Sequence, residues 1–268
     1  MPVVPRDAST VVLMRDSQSQ GGAPEVLLVR RHAGANFAAG AHVFPGGALE
    51  EIDFQRQSQE LSPRLSAQAA QAVICDAPSA ENALGLFVSA IRETFEEVGI
   101  LLARTENGTP WCADSRSPET MLAVRESFFR GSQKFSSWMR EQKLCLATED
   151  LVYFAHWITP EIRPRRFDTR FFLAEVAPDT EAWTDGREVF DHVWASPRKA
   201  IALHEQGKLQ LMTPTIRNLE LLSSYPRARE AVSALRLASV PTILPKIQVC
   251  ADGTQRVLHP GDEDYDDI

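Results

Sequence analysis

Arg92-Glu93-Thr94-Phe95-Glu96-Glu97-Val98-Gly99-Ile100 is the stretch of this chain that says most about its fold. It closes a predicted helix over 84–98, in which Leu84, Ile91, Phe95 and Val98 fall on one face at about 100° per residue. Gly99 is a natural stop, because glycine adopts the left-handed conformation that ends helices at little cost. Glu93, Glu96 and Glu97 stand at i, i+3 and i+4 and share a face. Carboxylates that close repel one another unless something positive joins them. A solvated stripe is one reading of such a face. The other is a site for a hard divalent cation, Mg2+ or Mn2+, which takes oxygen ligands and keeps waters and substrate phosphates.

Upstream lies Phe44-Pro45-Gly46-Gly47, a strong turn signal. Two β-branched, apolar runs precede it, predicting strands at 9–14 and 25–31 that pair with each other. Residues 54–82, rich in Gln, Ser and Ala, read as an inserted helical excursion. Downstream, 100–103 reads as a short strand, and Ser117-Pro118-Glu119 opens the first of two helices in a segment spanning 117–142. Strands are predicted at 165–176 and 189–195, and helices at 196–206, 213–223 and 226–237. A strand near 242–250, a turn at Asp252-Gly253 and an acidic tail complete the chain. This order predicts one α/β domain over 9–250 with helical embellishments, followed by a C-terminal turn and tail over 251–268.

The helix and the glycine turn together resemble the signature of the Nudix hydrolases, Gly-x5-Glu-x7-Arg-Glu-U-x-Glu-Glu-x-Gly-U, with U a bulky apolar residue. Gly47 matches the opening glycine, and Arg92 to Ile100 match the helical half. Thr94 replaces the first apolar position, and the arginine expected at 61 stands at 92, an insertion of 31 residues. Glu50, Glu51 and Asp53 are all candidates for the acid that pairs with Arg92. A coenzyme A diphosphatase type within the family carries an interruption at the same place. Coenzyme A-cleaving members also share an upstream motif, matched here by Leu27-Leu28, Arg31, Gly40 and Phe44 to Gly47, with departures at Val29, His32 and Asn36. The resemblance implies an α/β/α sandwich around a mixed sheet. It also implies metal-dependent hydrolysis of a nucleoside diphosphate linked to another group, for coenzyme A giving 3′,5′-ADP and 4′-phosphopantetheine.

In that scheme Glu93, Glu96 and Glu97 are the metal ligands, Glu93 or Glu96 the base, and Arg92 a brace for the loop or a substrate contact. Gly46, Gly47, Arg31, Arg165, Arg166 and Asp168 are the substrate-binding candidates, with Asp168 and Glu175 as alternative bases outside the box. Trp157, Trp183 and Trp194 are either core residues or platforms for adenine, and His42 is expected to be structural. The rival substrates are ADP-ribose and NADH. A nucleotide sensor without activity is a third reading, disfavoured because all three glutamates are present.

The 268 residues carry 28 basic and 36 acidic side chains, a net charge of −8, which argues against nucleic acid as a partner. Five of those acids lie in the last seven residues, leaving the body near neutrality and able to hold a basic pocket for a small nucleotide. The tail is expected to be solvated. The four cysteines are scattered without a C-x-x-C pair, no signal peptide is seen, and no apolar run approaches the length that spans a bilayer. A cytoplasmic enzyme away from membranes is the expectation, with a homodimer left open.

Overall fold

The computed structural model of the chain describes residues 2–19, 22–34, 38–111, 118–250 and 253–267. β1 (Arg6–Arg15) and β2 (Glu25–Arg31) pair antiparallel, with Met14 opposite Val26. β1 is buried on both faces: Val11 and Leu13 enter one core, Val12 and Met14 the other. That is why it reads as an unbroken apolar run rather than an alternating one. β3 (His42–Val43) and β4 (Gly46–Ala48) follow.

The inserted excursion is three short helices, α1 (Glu51–Phe54), α2 (Arg56–Gln59) and α3 (Ala67–Val73). It begins earlier than the composition suggests because Glu50 and Asp53 form a reciprocal capping box around the first turn. The central helix, α4 (Ala80–Val98), also starts before the predicted residue 84, where Ser79 accepts from the Asn82 amide. It ends as predicted, at Gly99 with φ +73°.

Residues 100–102 are not the predicted strand. β5 (Ala103–Thr105) takes its place, because its partner β6 (Leu144–Leu146) offers pairing only from Ala103 onward. Between them lie the two predicted helices, α5 (Pro118–Phe129) and α6 (Phe135–Glu141), while Ser117, proposed as their cap, lies outside the described residues. β7 (Val152–Ile158) was not predicted: a bulge between Tyr153 and Ala155 breaks its alternation. β8 (Phe167–Glu175), β9 (Val189–Ala195), α7 (Pro197–Glu205), α8 (Thr213–Leu222) and α9 (Ala228–Leu235) fall where predicted. The predicted last strand is divided at Leu244–Pro245 into β10 (Thr242–Ile243) and β11 (Lys246–Val249), and β11 forms a hairpin with β12 (Gln255–Leu258).

The main sheet is mixed, with order β10-β7-β8-β1-β2-β3, β4 beside β1 and β9 beside β2. β1 and β8 run parallel, and the β1–β2 and β7–β8 pairs antiparallel. Side chains of α3, α4, α5 and α6 fill one core and those of α7, α8 and α9 the other, so the architecture is an α/β/α sandwich. The tail is not simply solvated. The Tyr265 hydroxyl donates to Leu244 O (2.7 Å), Lys246 Nζ donates to Tyr265 O (2.8 Å), and Arg256 pairs with Asp264. Among the described residues, no helix is long and apolar enough to cross a membrane.

Candidate active site

α4 is buried along most of its length, including polar residues at Arg92, Thr94 and Glu97. Thr94 replaces an apolar residue without leaving an unsatisfied hydroxyl, because its Oγ1 donates to Ala90 O one turn back (2.7 Å). Arg92 grips Asp53 through two parallel bonds, Nε to Oδ1 at 2.7 Å and Nη2 to Oδ2 at 2.9 Å. Asp53 is 0% exposed and Arg92 3%, so the bidentate pair is inside the protein. Of the three acids open to it, Asp53 is therefore the partner that closes the interrupted box. Its Oδ2 also accepts from the Glu50 amide, tying the end of the glycine turn to α4.

Arg92 reaches Glu93 (2.9 Å) and Glu96 (3.1 Å) as well. Glu97 is held differently, by the Gly46 amide at 2.9 Å. Glycine matters at two positions of the turn. Gly46 sits at φ +155°, and a Cβ there would collide with β1 at Ser9 O and Thr10; a Cβ on Gly47 would overlap the Glu93 carboxylate. Burial drives all three acids upward: Glu93 to about 7 despite the guanidinium beside it, Glu96 up despite the same neighbour, and Glu97 well above its ordinary value, with Glu93 adding to the effect. Burial alone would lower Arg92, but Glu93, Asp53 and Glu96 around it outweigh burial and raise it.

Glu93, Glu96, Glu97, Gly46, Gly47, Arg92 and Arg31 all line one cleft of about 1580 Å3. Arg31 Nε is buried without a partner, and its charge acts on Glu97. Arg165 lies exposed at the rim of the same cleft. The structure corrects three other candidates. Arg166 is buried, with its guanidinium bonded to Thr159 O and Val3 O, so it fastens the N-terminal segment. Asp168 points away from the cleft, into a network with His156 and Arg170 that also holds Asp7 and Asp76. Its neighbours Phe167 and Thr169 face the cleft, and alternation along a strand sends it to the other side. Glu175 sits at the far end of β8, exposed beside Arg227 and Arg229. His42 is structural as expected, braced against Gln210. Trp194 lies under the Arg15 guanidinium (4.0 Å), whereas Trp157 lines the cleft. Asn36, the departure from the upstream motif, lies outside the described residues.

Sequence reasoning missed Arg125. On α5 and 4% exposed, it donates to Glu96 O (2.8 and 2.7 Å), Glu97 O (2.7 Å) and Trp183 O (2.7 Å). A cation on the last carbonyls of the helix both satisfies them and suits the negative end of its dipole. No local pattern marks it, since it is a single arginine on a helix far from the box. Glu188 also lines the cleft and was not anticipated.

No three carboxylates or imidazoles converge as a ready-made metal cage among the described residues. Arg92 draws Glu93 and Glu96, and Gly46 holds Glu97. The donor set nevertheless fits a hard divalent ion. Three carboxylates whose charged forms are disfavoured by burial face one cleft, and Mg2+ in particular binds through one or two carboxylates plus waters and phosphates rather than a complete protein cage.

Comparison with known proteins agrees with this geometry. The acyl-coenzyme A diphosphatase NUDT19 of Xenopus laevis is 26% identical over 275 residues, spanning 90% of this chain and 71% of the relative. The human protein of the same name is 28% identical over 278 residues, spanning 90% and 72%. A crystal structure of a Nudix hydrolase from Alicyclobacillus acidocaldarius is similar with a TM-score of 0.69 and 29% identity, covering 88% of this chain and 99% of that one. Nudix hydrolases generally use divalent metal ions. The model of the NUDT19 Nudix domain matches residues 5–222, more than three quarters of the chain, and with the box closed in space by Asp53 and Arg92 this protein belongs to that Nudix hydrolase family.

Proposed function

We propose that this enzyme hydrolyses the pyrophosphate bond of coenzyme A or an acyl-CoA, giving 3′,5′-ADP and 4′-phosphopantetheine or its acylated form. The observation that carries the hydrolytic reading is the gathering of Glu93, Glu96 and Glu97 against the Gly46-Gly47 turn in one large cleft. The substrate is suggested by the activity after which relatives aligned over nine-tenths of the chain are named. Glu93, Glu96 and Glu97 would hold Mg2+ or Mn2+. When bound, the ion supplies neutralisation of the pyrophosphate and acidifies a water.

The chain's own residues do the rest. Glu97, fixed by the Gly46 amide, and Glu93, packed against Gly47, present their carboxylates at the turn. Glu93 or Glu96 accepts the proton of the attacking water. Water oxygen bonds to one phosphorus, the bridging P–O bond breaks, and the departing phosphate takes the electron pair. Arg92 positions the glutamates and the loop, Arg31 lies where a phosphate oxygen would meet an unpartnered donor, and Arg163 and Arg165 at the rim attract a polyanion. The free thiols of Cys75, Cys145 and Cys250 suit a reducing, cytoplasmic setting.

The test incubates the protein with Mg2+ or Mn2+ and coenzyme A, acetyl-CoA, ADP-ribose, NADH or dinucleoside polyphosphates, resolving products by mass with Glu97→Gln as control. We expect 3′,5′-ADP, lost in the variant. AMP from ADP-ribose or NADH with coenzyme A intact would replace the substrate assignment, and no turnover of any of them would sink the hydrolytic reading for this panel.

A further inference from the structure

The cleft does not end at the glutamates. Ala48, Ala8, Thr169 and Trp157 pair in turn across β4, β1, β8 and β7, and all four line the cleft, so this row is part of its floor. Three strand-to-strand steps of about 4.8 Å put Trp157 roughly 14 Å from the glycine turn. Beyond Trp157 the wall turns apolar: Pro245 is buried there, and Ile247 and Val257 come from the facing strands of the C-terminal hairpin. That hairpin lies after residue 222, outside the matched domain. It is held to the sheet by His259, edge-on to Trp157 with ring centroids 5.9 Å apart.

Two features of this end point to a ligand. Val257 is a large apolar side chain left 42% exposed in a cleft wall. The Trp157 indole Nε1, in a residue only 5% exposed, is a buried donor without an acceptor. Buried donors are seldom left unmatched, so an acceptor supplied by a bound molecule would complete it.

The chemistry of the substrate proposed above supplies both partners, and the inference rests on that reading. From phosphorus to sulfur an extended phosphopantetheine arm runs roughly 15 Å, at the ~1.1–1.2 Å per skeletal bond of an extended chain. A pyrophosphate at the glutamates therefore brings the thioester level with Trp157 if the arm lies along the sheet floor. We propose that this end of the cleft is the acyl subsite: the Trp157 N–H donates to the thioester or last amide carbonyl, and the acyl chain runs over Ile247 and Val257. The nucleotide then lies the other way, toward Arg187 and Lys134.

The test measures kcat/KM for free coenzyme A, dephospho-coenzyme A and the acetyl, octanoyl and dodecanoyl thioesters, in wild type, Val257→Gln, Ile247→Gln and Trp157→Phe. We expect wild type to gain at least roughly tenfold from acetyl to dodecanoyl, which needs the burial of about two methylenes. Val257→Gln and Ile247→Gln should remove most of that gain, and Trp157→Phe should raise KM several-fold with kcat held. Val257 is half-exposed, so its variant tests the proposal even if Ile247→Gln folds poorly. A flat chain-length profile in an enzyme that cleaves coenzyme A would overturn the subsite and leave the proposed function standing. Loss of discrimination between coenzyme A and dephospho-coenzyme A in these variants would reverse the orientation and place the nucleotide here. Intact coenzyme A with wild type would remove the reading and the subsite together.

Discussion

Replacing Arg92 by Met leaves Asp53, which is wholly buried, without its two charge-assisted bonds. Glu93 and Glu96 lose the same guanidinium. Breaking a buried ion pair from one side typically costs about 3–5 kcal/mol, because a charge is left uncompensated. For a chain of this size that is roughly 5–9 °C in Tm. Asp53→Leu should cost a similar amount for the mirror-image reason. The double variant Asp53→Leu/Arg92→Met removes both charges. What it leaves is Glu93 and Glu96, which border the cleft and can protonate or meet water. The two single costs should therefore exceed the double by about 2 kcal/mol, within the range of coupling measured for contacting groups. The assay is urea unfolding of the metal-free protein at pH 7 for all four members of the cycle. Additivity within about 0.5 kcal/mol would refute the idea that Asp53 and Arg92 close the box as one unit. So would a single-variant cost below about 1 kcal/mol.

In the metal-free protein, Glu93 keeps its proton to about 7, whereas in the unfolded chain it loses it near 4.5. The native state thus binds more protons between those values, and stability should fall by about 3 kcal/mol as pH rises from about 4.5 to about 7. Glu93→Gln should flatten that slope in a Tm-against-pH series, and Mg2+ should oppose the fall in wild type; an unchanged slope in the variant would exclude Glu93 as its source. Arg125→Gln should weaken Mg2+ binding about 10–100-fold by calorimetry, as expected of a group that orients metal ligands through their backbone; a lower Tm with Mg2+ affinity unchanged would make Arg125 merely structural. Gly47→Ala places a methyl on the Glu93 carboxylate, and should lower kcat/KM about tenfold or more while Tm shifts little; full activity would mean the turn can yield.

The box was legible in the sequence because a helix brings i, i+3 and i+4 together without help from the rest of the fold. Its partner acid was not. Glu50, Glu51 and Asp53 are equivalent on paper, and only the capping box that starts α1 at Glu51 aims Asp53 at Arg92. The same limit explains Arg166 and Asp168. Their charges suggested a phosphate contact and a base, but strand alternation and the pairing of β1 with β8 turned both away from the cleft. β7 was hidden by its bulge, and Arg125 by having no local pattern at all.

From the sequence alone came the glutamate face, the glycine turn, the helix stop and most of the strand and helix order, since each depends on neighbours a few residues apart. Tertiary structure decided what depends on distant segments meeting. It set which acid closes the interrupted box, which arginines face the cleft, that Arg125 holds the end of α4, and that the C-terminal hairpin walls the far end of the floor. Those contacts join residues tens to hundreds apart, and burial and sheet register, neither of them a local property, select them.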